Sequence, residues 1–296
     1  MSASIPSSPR SRRPLDCQHT IEPTTLASLV AIAVSIVFAL TNQVQHIALR
    51  HMDVRAGTIV NVATTFGLLL VMAPLYFDLA WLRNPAIGWF ALAGLIVPGL
   101  SMTLHTWSIR LMEPAITAAL SSTSPVFSIL IAAIFLQEQG GWHLYAGTAI
   151  IIGGIAFIAL RSRRQRANWP LWAIAIPLGA ALSRGIAHNV VKLGLTELAS
   201  PLTAALIGSA VSCVLLSTRQ GITRHPMPRK RAGYGWFAAC GALNAIGLAG
   251  LNLALSLGTV SRVAPLIATT PAFTLILGHY FFRNASIGWP SVLAMG

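Results

Sequence analysis

Long apolar runs broken by short polar stretches dominate the chain, and the few polar residues inside the runs recur at a fixed spacing. Nine runs, approximately 25–49, 56–77, 86–109, 114–136, 142–160, 169–193, 199–217, 233–257 and 263–282, are each long enough to cross a membrane core. A helix spans that core, roughly 30 Å thick, with about 20 residues. In lipid every backbone N–H and C=O needs a partner inside the protein, and runs of this length find those partners as helices, not as short alternating strands. A tenth run starts near residue 287 and stops at Gly296. Ten residues rise only about 15 Å as a helix, so a chain that is truncated, or unusual at its end, is expected there.

The polar interruptions repeat. "ALTNQVQHIALR" at 39–50 returns as "ALSRGIAHNVVK" at 181–192, which sets Thr41, His46 and Arg50 opposite Ser183, His188 and Lys192 at an offset of 142. "SSTSPVF" at 121–127 returns as "IATTPAF" at 267–273, which pairs Leu120, Thr123, Pro125 and Phe127 with Leu266, Thr269, Pro271 and Phe273 at an offset of 146. The longer loop between Arg219 and Arg231 supplies the net insertion. Each unit holds five helices, and an odd number of crossings turns the second copy upside down. The expected fold is an all-α integral membrane protein, a ten-helix inverted repeat (5+5) with its last helix incomplete. Its expected parts are a disordered tail (1–23), a first five-helix repeat (24–160), a basic linker (161–168) and a second repeat (169–296). Inverted repeats characterise many secondary transporters, whose binding site lies near the midplane between the halves.

Composition agrees with this class. Hydrophobic residues make up 55% and charged residues 9%, against about 25% charged in an ordinary soluble chain. The net charge of +13 does not point to nucleic acid, because the basic residues gather in short loops, "RSRRQR" at 161–166 and "RHPMPRKR" at 224–231. Such loops set orientation or meet anionic lipid head groups. Cys17, Cys213 and Cys240 are isolated and imply neither a disulfide framework nor a metal site. The tail "MSASIPSSPRSRRP" is too polar to order itself. Read as a signal peptide, it would precede a run longer than the usual core of about 7 to 15 residues.

The stretch "LMEPAITAALSSTSPVFSILIAAIFLQEQGGWHLYAGTAIIIGG" at 111–154 resembles the end of an EamA domain of the drug/metabolite transporter superfamily. Its marks are Ser/Thr-Pro-Val-Phe, an apolar helix, an acidic turn and a Gly-containing helix. "LGTVSRVAPLIATTPAFTLILGHYFF" at 257–282 is similar to the same part of a second domain, although the acidic turn at Glu138 becomes "RNAS" from Arg283. The resemblance covers nearly the whole chain after the tail. It implies ten helices, alternating access, and export or exchange of small metabolites, without any cofactor.

Within this frame the buried polar groups are the candidate cavity. A guanidinium at mid-membrane costs roughly 2.5 to 3.5 kcal/mol on insertion scales, and Arg184 lies about nine residues from the end of its run. His188 follows at i+4 on the same face. Asn42 and His46 form the matching stripe on the first helix, with Gln43 beside them, and Asn61, His105, Asn244 and Asn252 add hydrogen-bonding groups at similar depth. Ser121 to Ser124 precede Pro125, and Thr269 and Thr270 precede Pro271. These prolines are candidate hinges, with hydroxyls able to take up the carbonyls that proline leaves unbonded. Such hydroxyls more often bond their own backbone than a ligand. Arg50 and Lys192, near helix ends, read as snorkelling anchors.

No Asp or Glu sits deep in any run, so a site for cationic drugs is disfavoured and any proton coupling falls to His46, His105 or His188. The expected partners are a small solute of the amino-acid or organic-anion class, membrane lipid, no nucleic acid, and a homodimer as a candidate assembly. Rival readings are an intramembrane enzyme acting on lipid and a non-transporting scaffold. The expected location is the plasma or inner membrane of the cell. Orientation is divided. The basic loops after the fifth and seventh helices place the N-terminus outside. The EamA resemblance implies an N-terminus inside, which Arg10, Arg12, Arg13 and Arg83 favour.

Overall fold

Ala, Leu, Ile and Val in unbroken runs give the chain helical backbone wherever no proline intervenes, and some helix starts carry a polar cap. Asp53, for example, accepts from the Ala56 amide at the start of the second helix. The computed structural model describes residues 23–101, 123–137, 170–223 and 231–270, with 104, 107, 108, 111, 120, 146, 147, 273, 276 and 277. The tail, the fifth run apart from two residues, the basic stretches 161–166 and 224–230, and the tenth run lie outside the described residues.

Among the described residues the α-helices are α1 (Pro23–Ala48), α2 (Val54–Met72), α3 (Ala86–Gly94), α4 (Ser124–Phe135), α5 (Ala175–Glu197), α6 (Pro201–Thr223), α7 (Arg231–Leu257) and α8 (Val260–Ile267). They correspond to the first four and the sixth to ninth apolar runs. Five stretches, Thr24–Gln45, Val54–Leu75, Trp172–Glu197, Pro201–Ile222 and Ala232–Leu257, are long and apolar enough to cross a bilayer. The protein is therefore a multi-pass integral membrane protein.

Two runs are broken along their length. The third was expected to continue to residue 109, but α3 stops at Gly94 and passes into a π-type turn, Leu95–Leu100, with Val97 extended at φ −125°, ψ 122°. Val97 precedes Pro98, and a residue before proline is pushed out of the helical region. Pro98 has no N–H for the Gly94 carbonyl four residues back. The hydroxyl of Ser212 on α6 stands in, 3.0 Å from Gly94 O and 3.2 Å from Val97 O, sharing its proton with Gly208 O in its own helix at 2.8 Å. In the ninth run α8 ends at Ile267, and Ala268 and Thr269 form a turn before helix resumes at Thr270.

Lys192 also departs from expectation. Its ammonium does not snorkel outward but donates to Leu255 O at 2.6 Å and to Gly258 O at 2.7 Å, at the corner between α7 and α8. The last carbonyls of a helix lack intrahelical partners and carry its negative dipole end. A lysine from the neighbouring α5 satisfies them.

The packing has the exchange pattern of two related halves. α1 packs on α7 as α5 packs on α3; α2 packs on α7 as α6 packs on α3; α4 packs on α5 as α8 packs on α1. α2 meets its counterpart α6, and α4 meets its counterpart α8. The main core accordingly draws on both halves, joining Ala31 and Val34 of α1 to Phe90 of α3, Leu195 of α5 and Leu255 of α7.

Small residues make the tight crossings, since lipid-facing helices gain from close backbone approach rather than from burial of apolar surface. A Cβ on Gly94 would overlap the Gly208 backbone, and one on Gly241 would meet Asn61 O and Thr64 at 2.6 Å. A Cβ on Gly67 would meet nothing within 4 Å. Gly94→Leu is therefore expected to destabilise the protein by roughly 1 to 3 kcal/mol. Gly67→Ala should stabilise it by roughly 0.5 to 1 kcal/mol through helix propensity. Thermal unfolding in detergent reads both signs. The same assay should show Lys192→Met losing about 1 to 2 kcal/mol, most of it recovered in Lys192→Arg.

Candidate functional site

Where the two halves face one another the bundle forms an open cavity of about 570 Å³, within the usual range of roughly 300 to 1,000 Å³ for ligand sites. Four helices present to it one stripe each at spacing i, i+3, i+4, i+7, the set of positions that share a helix face. On α1 the stripe is Phe38, Thr41, Asn42 and Gln45, and on α2 it is Thr58, Asn61, Val62 and Thr65. α3 gives Phe90, Ala93 and Gly94, with Val97 in the turn beyond it, and α5 gives Arg184, Ala187, His188 and Val191. α6 contributes Ser209 and Ser212, and α7 contributes Asn244, Leu248, Leu251 and Asn252.

Six of the eight residues expected from sequence to line the cavity thus share this wall, Arg184, His188, Asn42, Asn61, Asn244 and Asn252, together with Ser124, Pro125 and Thr270 from the expected hinge segments. His46 lies in α1, but its side chain is outside the described residues, as is all of His105. Gln43 is not among the described lining residues. Gln45 is, because it stands three positions from Asn42 whereas Gln43 stands one. Sequence reasoning also missed Ser101 and the aromatic wall of Phe38 and Phe90. The helical period predicts Phe38 and Gln45 once Asn42 is placed, but no spacing ties Ser101 to Arg184 across the bundle.

The hydroxyls and the larger polar groups behave differently. Thr41 Oγ1 donates to Val37 O at 2.9 Å, Thr58 Oγ1 to Val54 O at 2.7 Å, and Ser209 Oγ to Leu206 O at 2.9 Å. Thr65 Oγ1 bridges helices, 3.0 Å from Asn61 O and 2.9 Å from Gly241 O. These hydroxyls serve the backbone. Arg184 is held by one edge, its Nε donating to Ser101 Oγ at 3.2 Å while Ser101 donates to Ala180 O at 3.1 Å. His188 Nδ1 lies 3.2 Å from Ser128 Oγ on α4. Asn252 donates to Pro201 O at 3.2 Å, and Asn244 faces Asn61 Oδ1 at a long 3.5 Å.

Asn189, next to His188, belongs to a helix contact instead. Its amide nitrogen donates to Ser128 O at 3.0 Å and Gly185 O at 2.9 Å. Its Oδ1 is buried without a partner among the described residues. Gly185 lets α4 come this close, since a Cβ there would lie 2.8 Å from Phe127 Cβ.

At the hinge positions, Pro125 lies in the first turn of α4. Before it, Thr123 Oγ1 donates to Leu120 O at 2.7 Å, and 146 residues later Thr269 Oγ1 donates to Leu266 O at 2.6 Å. The two halves therefore close the same break with the same bond. Pro271 lies outside the described residues. Pro265, inside α8, is a further proline at this place in the fold. Among the described residues no group of three or more His, Cys, Asp or Glu is placed to hold a metal ion.

The chain belongs to the EamA-like transporter family, whose model matches it twice, over residues 25–160 and 171–296. A relative from Streptantibioticus cattleyicolor, described as "Probable terminal-alkyne amino-acid exporter", is 38% identical over 101 residues. That match spans 34% of this chain and 30% of the relative's length. A solved structure titled "Crystal structure of protein" has the same fold, with a TM-score of 0.69 at 15% identity over 92% of both chains.

If the α1 stripe faces water, single cysteines at Asn42 and Gln45, in a background lacking Cys17, Cys213 and Cys240, should react with a membrane-impermeant thiol reagent. A cysteine at Ile246, which is 61% exposed and outside the cavity wall, should stay unmodified. Equal labelling of all three would remove the cavity assignment.

Proposed function

We propose that the protein exports or exchanges a small polar metabolite of the amino-acid or organic-anion class across the cell membrane by alternating access. Arg184, His188, Asn42, Asn61, Asn244 and Asn252, with His46 and His105, are the solute-contacting set in this reading, and Pro125 and Pro271 are its hinges. One observation carries it above the others. A guanidinium that is expensive to place in a membrane lines the cavity, and a serine hydroxyl holds it by a single edge. No Asp or Glu is among the described lining residues, and no backbone carbonyl caps this guanidinium in the way that Leu255 O and Gly258 O cap Lys192, among the bonds of the described residues. Membership of a transporter family and the exporter name of the Streptantibioticus relative support the same reading.

Alternating access needs two arrangements of similar energy. The exchange pattern of contacts supports this, because each inter-half interface has a counterpart that can take its place. The test is flux. Purified protein in liposomes preloaded with a mixture of unlabelled amino acids and organic acids should take up a labelled member of that mixture by counterflow. Arg184→Ala should lower that uptake at least tenfold. Uptake no greater than in protein-free liposomes across the whole mixture would end this reading.

A further inference from the structure

Charge on the cavity wall is uneven between the two halves, and the unevenness has a chemical consequence. The 142-residue offset sets Asn42 opposite Arg184, and both side chains line the cavity. One half thus contributes a cation where the other contributes a neutral amide. Arg184 is the one permanently ionised side chain among the described lining residues. The described acids, Asp53, Asp78 and Glu197, are exposed and outside the wall.

From this we infer that the cavity is a single-anion site: it takes a solute bearing one carboxylate, held by the guanidinium of Arg184, and selects against dicarboxylates and against solutes with net positive charge. The inference rests on the transport reading above and deepens it.

The geometry of Arg184 suits the role. Ser101 accepts from Nε and commits its own proton to Ala180 O, so the hydroxyl orients the guanidinium without neutralising it. Among the described residues no bond engages the terminal nitrogens, which present the planar fork that matches a carboxylate. A second carboxylate on the solute would enter a wall whose matching position is Asn42. It would leave water for amide donors alone, a poor exchange for a full charge. An ammonium group fares better when the same molecule brings a carboxylate, because the amide oxygens of Asn61 and Asn244 can accept from it. A solute with net positive charge would meet Arg184 with nothing anionic on the described wall to offset the repulsion. The remaining surface, Phe38, Phe90, Leu248 and Leu251, suits an uncharged apolar side chain.

The test varies solute charge. Full-length protein in liposomes is given labelled leucine, with propargylglycine, propionate, glutamate, succinate, lysine or putrescine as competitors. The same competition is run as equilibrium binding on detergent-purified protein, which reads charge preference even where flux is nil. Propargylglycine and propionate should compete, and the dicarboxylates and cations should compete at least tenfold more weakly. Arg184→Gln should weaken leucine binding roughly 10- to 100-fold, the range for a lost charge-assisted hydrogen bond, and Arg184→Lys should restore part of it. Asn42→Arg should add the missing cation and move the leucine-to-succinate preference toward succinate by about tenfold.

Succinate or glutamate competing as well as propargylglycine in the unaltered protein would overturn the inference while leaving transport intact. So would an Arg184→Gln protein, monodisperse on gel filtration, with unchanged preference. If Asn42→Arg does not fold, the comparison of Gln and Lys at position 184 decides alone. Absence of both flux and binding for every probe would overturn the transport reading and this inference with it.

Discussion

A polar group that leaves water inside a membrane must find its partner in the protein, and most of the distinctive features of this structure are answers to that demand. Pro98 deprives the Gly94 carbonyl of its amide, and Ser212 supplies a hydroxyl from another helix. The corner between α7 and α8 exposes carbonyls at Leu255 and Gly258, and Lys192 caps them from α5. Thr123 and Thr269 close the same break in each half with the same bond. In water each of these groups would be solvated at little cost. In hydrocarbon each vacancy costs several kcal/mol, so helix breaks occur only where a neighbour can meet them.

The same demand separates structural polar residues from those available to a solute. Short hydroxyl side chains reach their own backbone and are consumed by it, as at Thr41, Thr58 and Ser209. Arg184 reaches past its own backbone to Ser101 of another segment, and Asn244 faces Asn61 across the wall. Among the described residues the cavity wall is therefore polar through a few amides, the His188 imidazole and the Arg184 guanidinium, set among aromatic and aliphatic surface. Glycines and alanines at the crossings let the helices touch, and the stripes of larger residues hold them apart around the chamber.

Particular residues show what a reader of the chain could and could not foresee. The offsets of 142 and 146 tied α1 to α5 and α4 to α8 before any contact was known, because polar and proline positions inside apolar runs are too costly to recur by composition alone. Gln45 was overlooked in favour of Gln43 although the helical period separates them. The break at Val97 was also legible, in Pro98, yet the run around it is apolar enough to read as one helix. Lys192 looked like an anchor at a helix end, since nothing near it in sequence announces the carbonyls it meets more than 60 residues away.

By itself the sequence determined the membrane class, the helical state, the two-fold internal pattern and which apolar runs carry the costly polar groups. All of these follow from local composition and period, which act through the nearest turns of the chain. Tertiary structure alone decided that Ser101 holds Arg184, that Ser212 repairs the third span, and that the stripes on separate helices close on one chamber. Those pairings join residues 80 or more positions apart. They depend on how helices cross, and a crossing is chosen by the fit of whole surfaces that no single stretch of sequence contains.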